Sequence, residues 1–280
     1  MIRSKKIALV ETVRDLCRMC YTCVRECPAK AIRVVDGQAE VLPARCIGCG
    51  NCVRECNRRA KRVARSVEDV ESLLESGKPT AACIAPSFPA EFSECEHTRL
   101  VGMVRALGFS VVAETAFGAD LVADRVRRLA AAGKERRHID STCPAVVAYI
   151  ERYHPDLVGS LVPVVSPMIA MSRVLHRLYG DDLNVVFVGP CIAKKGEILG
   201  EGLESDVQAV LTFAELREML GRRTILPGTV EPSDFDPPRP GPGSLFPVSR
   251  GLLQAVGIQE DWTAGDVVSA CGRTGFVEAI

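Results

Sequence analysis

Cys17-Arg18-Met19-Cys20-Tyr21-Thr22-Cys23-Val24-Arg25-Glu26-Cys27 is answered, 29 residues further on, by Cys46-Ile47-Gly48-Cys49-Gly50-Asn51-Cys52-Val53-Arg54-Glu55-Cys56. Each stretch reads C-x2-C-x2-C-x3-C, and the last five residues of the two are identical. The repeat runs on past the cysteines, where Ala31, Arg33 and Val34 return as Ala60, Arg62 and Val63. Such self-similarity implies two copies of one small unit related by a pseudo-two-fold axis.

The spacing fits a [4Fe–4S] cubane, which takes three thiolates from a tight loop and a fourth from the run belonging to the other cluster. The fourth cysteine of each run is expected on the helix after its loop. One set is then Cys17, Cys20, Cys23 and Cys56, and the other is Cys46, Cys49, Cys52 and Cys27. Zinc sites pair two cysteines rather than four in this rhythm. Pro28 follows Cys27, but Asn57 follows Cys56; proline there mainly stops a helix, so the change touches loop geometry more than ligation. Gly48 and Gly50 give the second loop backbone freedom and N–H groups near the sulfides. Over about residues 8–66 the chain closely resembles the two-cluster bacterial ferredoxin. The resemblance implies an α+β module with two [4Fe–4S] clusters that moves single electrons.

The chain has 280 residues, 47% of them hydrophobic, enough to bury a sizeable core in two domains. Lys plus Arg and Asp plus Glu each number 35, so no overall field points to nucleic acid. Arg58, Arg59, Lys61, Arg62 and Arg65 form a local basic run, as do Arg125, Arg127 and Arg128 on an expected helix. Each reads as a solvated face or as a docking patch for an acidic electron partner. Thirteen cysteines in an odd count and tight spacing argue against a secreted disulfide framework. Residues 1–10 lack the apolar core of a signal peptide, and no apolar run approaches the roughly 20 residues that span a bilayer. A reducing, cytoplasmic setting is expected.

Residues 67–77 carry apolar positions at helical spacing and end at Gly77, as a linking helix would. Beyond Pro79, strands are expected at 80–85, 110–113, 161–165 and 185–188, with helices at 98–107 and 119–132. Strands alternating with helices predict an α/β domain over 78–280 with a largely parallel sheet. Residues 232–243, rich in Pro and Gly, read as an irregular surface loop. In such sheets ligands lie beyond the carboxyl ends of strands, where Asp140-Ser141-Thr142-Cys143-Pro144-Ala145 and Gly189-Pro190-Cys191-Ile192-Ala193-Lys194-Lys195-Gly196-Glu197 fall. Cys143 opens an expected helix and Cys191 sits beside lysines, both settings that lower a thiol pKa. Spacing alone leaves them as ligands, catalytic thiols or inert buried cysteines.

These two segments resemble the catalytic domain of [FeFe] hydrogenases, together with Thr115-Ala116-Phe117-Gly118-Ala119-Asp120-Leu121, Val165-Ser166-Pro167-Met168, Val210-Leu211-Thr212 and Gly243-Ser244-Leu245-Phe246-Pro247. The resemblance covers essentially all of residues 78–280. It implies proton–hydrogen interconversion at an H-cluster, a [4Fe–4S] cubane bridged to a di-iron site. By the same resemblance Cys143 and Cys191 match cubane ligands, Lys194 the lysine that anchors a cyanide of the di-iron site, and Glu197 a glutamate on the proton route. A surface ion pair is the plain alternative for Lys194 and Glu197.

Three departures follow. Thr142 stands where the family has the cysteine that shuttles a proton, and a hydroxyl does not ionise near neutral pH. That points to attenuated turnover, as in members thought to sense hydrogen. Met168 replaces a common glutamine. The last motif, which brings two more cubane ligands, is not found: Cys271 has Gly275 where the second cysteine is due. Residues 265–280 instead match a strand-and-helix region upstream of it, so the sequence is expected to stop short of that motif. Cys83, in an apolar strand, reads as a packing thiol and Cys95 lies in the acidic stretch 91–96; neither reads as a substitute ligand. The four histidines, scattered singly, read as surface or structural. The resulting expectation is two [4Fe–4S] clusters relaying electrons to an H-cluster-type site, with a third cubane and di-iron site only where the last motif is supplied. A soluble ferredoxin or another electron-transfer subunit would be the redox partner, with hydrogen and protons as small substrates. The alternative is a non-catalytic electron carrier, redox sensor or iron–sulfur scaffold.

Overall fold

The computed structural model describes residues 8–132, 138–200, 202–203, 206–258, 267–270 and 272–280. Most of the signal-peptide reading of residues 1–10, and Cys271, lie outside them.

The sequence repeat folds as two interleaved halves. β1 (Val10–Thr12) pairs antiparallel with β4 (Lys61–Val63), so the two ends of the module close on each other. β2 (Ile32–Val35) pairs with β3 (Gln38–Val41) through a two-residue turn. Both turn residues, Asp36 and Gly37, have positive φ, as a tight hairpin requires. Each cysteine run supplies one helical turn, α1 (Thr22–Arg25) and α2 (Asn51–Arg54). Here the sequence expectation is corrected. The third cysteine of each run, Cys23 or Cys52, is on the helix, and the fourth, Cys27 or Cys56, lies just past its end. A single turn is all that fits before Pro28, which cannot continue a helix.

After α3 (Val67–Glu75) the chain enters a four-stranded parallel sheet of order β6-β5-β7-β8. The strands are β5 (Thr80–Ile84), β6 (Val111–Glu114), β7 (Asn184–Gly189) and β8 (Ala209–Thr212). All five residues of β5 are buried, as in a strand covered on both faces, which explains its unbroken apolar run. The helices of this part are α4 (Phe88–Glu91), α5 (His97–Ala106), α6 (Ala116–Ala132), α7 (Pro144–Tyr153), α8 (Pro167–Tyr179), α9 (Lys194–Glu197) and α10 (Phe213–Arg222). α11 (Gly251–Val256) and α12 (Gly272–Ala279) complete the described chain.

Residues 161–165 do not form the expected strand. Leu161 makes one isolated parallel bridge to Ile139, and Pro163, lacking an N–H, stops the ladder there. Of the region 265–280, a helix is present at α12 and residues 267–270 form no strand.

β5 leads to β6 on one side and β7 to β8 on the other, so the sheet switches direction between β5 and β7. Open parallel sheets bind ligands in the crevice beyond the carboxyl ends at such a point. Cys191 lies two residues past the end of β7. A separate apolar core links the two parts of the chain. Val10, Ile32, Val41 and Ile47 pack with Ala145 and Tyr149 of α7, with Ala193 and with Phe276 of α12.

Candidate metal centres and the path between them

The eight cysteines of the two runs gather in two groups, each mixing thiols from both runs. Cys17, Cys20, Cys23 and Cys56 line one cavity of about 400 Å³. Cys27, Cys46, Cys49 and Cys52 line a second, narrower one. The pseudo-symmetry reaches individual hydrogen bonds: Ala31 N–H donates to Cys27 Sγ at 3.2 Å and Ala60 N–H to Cys56 Sγ at 3.3 Å. Backbone donors aimed at sulfur favour electron-rich thiolates. Burial acts the other way, raising the Cys23 thiol and pushing Cys52 up to about 12. Exposed Cys20 is lowered, chiefly by the Thr22 backbone N–H and then by its hydroxyl. Thiols so desolvated ionise readily only beside a cation, and the iron of a cubane supplies one. Among the described residues no three His, Cys, Asp or Glu side chains stand close enough to hold a single ion. The thiols surround a volume rather than a point, and the donor set fits two clusters.

The second cavity abuts the loop that carries Cys191. A Cβ on Gly48 would come within 2.9 Å of Ala193 Cα, and one on Gly50 within 2.9 Å of Ile192 Cδ1. Both glycines have positive φ, +70° and +75°, so their lack of a side chain serves the turn and the contact together. α7 clamps the same face: Arg152 donates to the Cys46 carbonyl, and Tyr153 Oη donates to Ala29 O at 2.8 Å. Nothing in the sequence marked Arg152 or Tyr153, because their partners are backbone carbonyls distant in the chain.

Cys143 is the N-cap residue of α7, and its thiol senses Cys191 and Lys194 nearby. The helix-terminus argument predicted a lowered pKa for Cys143. The residue keeps solvent contact, yet the protein crowding its sulfur desolvates it and raises the pKa. Lys194 and Glu197 pair at 2.7 Å with side chains only 10% and 14% exposed, so this is no surface pair. Thr142 Oγ1 donates to Asp140 Oδ2 at 2.5 Å, and Thr142 N–H to Oδ1 at 3.1 Å. Asp140 escaped sequence reasoning. Burial raises its carboxyl pKa against the pull of Thr142 and Lys194.

Cys191 lies near enough to act on the Cys143 thiol, and two thiols are half of what a cubane takes. Cys83 is fully buried in β5 with its sulfur 3.1 Å from Thr115 Oγ1, and burial pushes it up to about 12. Cys95 lines another cavity with Phe88, Phe92 and His97. Lys195, beside Lys194, is a structural hub. Its buried ammonium bonds Ser66 Oγ at 2.7 Å, Val210 O at 2.9 Å and Glu215 Oε1 at 3.0 Å, tying α9 to α10 and to the start of α3.

The model of the iron-only hydrogenase large subunit, C-terminal domain, matches residues 78–276, and that of a 4Fe–4S dicluster domain matches residues 9–57. The chain belongs to the iron-only hydrogenase family. As a hydrogenase-like protein with a dicluster domain, it carries iron–sulfur clusters. Among solved structures, a variant of the [FeFe]-hydrogenase HydA1 from Chlamydomonas reinhardtii superposes with a TM-score of 0.55 at 21% identity, covering 69% of this chain and 57% of that one. The apo form of another HydA1 variant gives 0.54 at 21% identity over 62% and 52%. At these identities the likeness is one of fold. Among curated relatives, the cytosolic Fe–S cluster assembly factor NAR1 of Botryotinia fuckeliana is 30% identical over 138 residues, 40% of this chain and 24% of the relative. NAR1 of Debaryomyces hansenii is 26% identical over 156 residues, 50% of this chain and 29% of the relative. The chain thus spans under a third of the length of these curated relatives. No helix among the described residues is long and apolar enough to cross a membrane.

Proposed function

We propose that the chain is a one-electron relay of the hydrogenase family, passing electrons through two [4Fe–4S] clusters to a hydrogen-responsive site at Cys143 and Cys191. The observation that carries this reading is the backbone contact of Gly48 and Gly50 with Ala193 and Ile192. It brings the Cys27–Cys46–Cys49–Cys52 cluster against the Cys191 loop. The other cluster faces outward through exposed Cys20. Exposed Arg18 and Arg58 line that outer cavity, with Glu55 there as well, and Leu16 and Met19 are exposed in the adjoining chain. Such a face suits an acidic electron carrier, of ferredoxin type, because opposite charge steers encounter and a small apolar centre seats it.

Cys143 and Cys191 would supply two ligands of the family's cubane, with the Lys194 ammonium at hand for an anionic ligand. An H-cluster, where its remaining ligands are provided, supplies the chemistry of hydrogen. Thr142 already gives its hydroxyl proton to Asp140, so it offers no ready acid at that point. A sensing role suits this better than fast turnover. The experiment is iron and electron counting on anaerobically reconstituted protein. About 8 irons mean the two relay clusters alone, and about 12 mean a third at Cys143. Charge reversal at Arg18 and Arg58 should slow reduction by an acidic ferredoxin while leaving reduction by dithionite unchanged. Equal rates in both assays would reject the docking face.

A second reading, an iron–sulfur scaffold in cluster assembly, is favoured by the 30% identity to an assembly factor. Transfer of iron and sulfide from the loaded chain to an apo-ferredoxin would support it. Clusters retained through repeated reduction and oxidation would support the relay.

A further inference from the structure

Between residues 17–34 and their counterparts at 46–63, one pair that is buried in both halves does not match. Ile32, 8% exposed, packs in the core of the first half. Its counterpart 29 residues on is Lys61, 6% exposed. An apolar side chain is what the repeat calls for, and an ammonium has replaced it.

Lys61 is the first residue of β4, opposite Thr12 of β1. Its Nζ donates to Thr12 Oγ1 and to Ala39 O, and Thr12 passes a further hydrogen bond to the same carbonyl. Both acceptors are neutral. Among the described residues no carboxylate pairs with it. A buried, uncompensated ammonium is strongly unfavourable, so buried cations are paired with anions. Its strand β4 packs against α2, which carries Cys52 of the inner set, and its charge acts to lower the thiols of Cys23 in one set and of Cys46 and Cys52 in the other. It also lines the first cavity alongside Cys17, Cys20, Cys23 and Cys56. A cubane with four thiolates bears net negative charge in each redox state, more so when reduced.

We propose that Lys61 is the shared counter-ion of both clusters and sets their reduction potentials together. The inference rests on the two-cluster assignment and not on what lies at Cys143. A fixed positive charge stabilises the more negative, reduced form, and so raises a potential. One lysine between two clusters raises both, shifting them in the same direction while disturbing their difference less. A relay gains from this, because neither step becomes a deep electron trap. Lys61 is a positioning charge and touches no reacting atom.

The test is an EPR-monitored redox titration of the full, loaded chain. Lys61→Gln keeps hydrogen-bonding capacity toward Thr12 and Ala39 but removes the charge; Lys61→Arg keeps the charge. With iron content equal to wild type, Lys61→Gln should lower both potentials, and Lys61→Arg should leave both near wild type. Potentials unmoved in Lys61→Gln, or a shift confined to one cluster, would overturn the proposal. Should Lys61→Gln lose its iron, the wild-type protein grown on 15N-labelled lysine provides the second measurement. Electron–nuclear double resonance should find a 15N coupling on both reduced clusters that Lys61→Arg abolishes. Coupling to one cluster or neither would equally overturn it. A failure of electrons to reach Cys143 would reject the relay and leave these readouts untouched.

Discussion

Gly48 and Ala193 meet backbone to backbone: a Cβ on Gly48 would stand 2.9 Å from Ala193 Cα. This contact joins the loop of the inner cluster to the loop of Cys191. It also decides the first prediction. Gly48→Ala adds a methyl group at φ +70° and drives it into main chain that cannot swing aside. The combined strain and overpacking should cost about 2–4 kcal/mol. Thermal unfolding of the loaded protein should show the loss, whereas Gly77→Ala, equally positive in φ but with open space around it, should cost less.

The fourth cysteines are diagnostic of the proposed crossed ligation. Cys56→Ala should damage the cluster shared with Cys17, Cys20 and Cys23, and Cys27→Ala the one shared with Cys46, Cys49 and Cys52. Each variant should lose up to about 4 of roughly 8 irons. Cys56→Ala and Cys17→Ala should then share one EPR phenotype, and Cys27→Ala and Cys46→Ala the other. Pairing of Cys56→Ala with Cys46→Ala would show local ligation instead.

Lys195 and Glu215 form an ion pair with side chains 5% and 11% exposed. Removing one partner strands the other charge in the interior. Glu215→Leu should cost about 3–5 kcal/mol, and adding Lys195→Met should recover part of it. Denaturant unfolding of the single and double variants measures the coupling. Strict additivity would mean that the pair holds nothing together.

Glu114, the last residue of β6, is half-buried, and its carboxyl pKa is raised from 4.5 chiefly by burial. The sign follows from linkage. As pH rises above 4.5, the unfolded carboxyl ionises first, the native state holds the proton longer, and stability falls until the native group ionises too. Glu114→Gln removes this loss, so its melting temperature should gain on wild type between pH 4.5 and 7, by the equivalent of at most about 1 kcal/mol. A difference that stays constant across that range would contradict the burial argument.

Much of this was written in local spacing. The cysteine repeat foreshadowed the grouping of the thiols around two cavities, and β5 and β7 announced themselves as short apolar runs because they are buried on both faces. What local spacing hides is cross-chain geometry. Lys61 belongs to a basic run that reads as solvated, yet strand pairing turns its side chain inward while Arg58, Arg59 and Arg62 stay exposed. Arg65, from the same run, is spent on Glu68 and Glu218. Residues 161–165 look like a strand until Pro163 is counted. The fourth cysteines fell off their expected helices because a single turn exhausts the space. Asp140 gave no signal, since its partner Thr142 lies only two residues away in an ordinary polar loop.

The proposed relay is a pair of clusters leading inward to Cys191. It is tested by freeze-quench EPR on the oxidised, anaerobically reconstituted chain, sampled from the first moments of mixing with reduced acidic ferredoxin through to full reduction. The relay should show about 8 irons and two spin-coupled [4Fe–4S] signals, the outer cluster reduced first when an acidic ferredoxin is the donor. Two uncoupled signals, or reduction of the Cys27–Cys46–Cys49–Cys52 cluster ahead of the outer one, would contradict it.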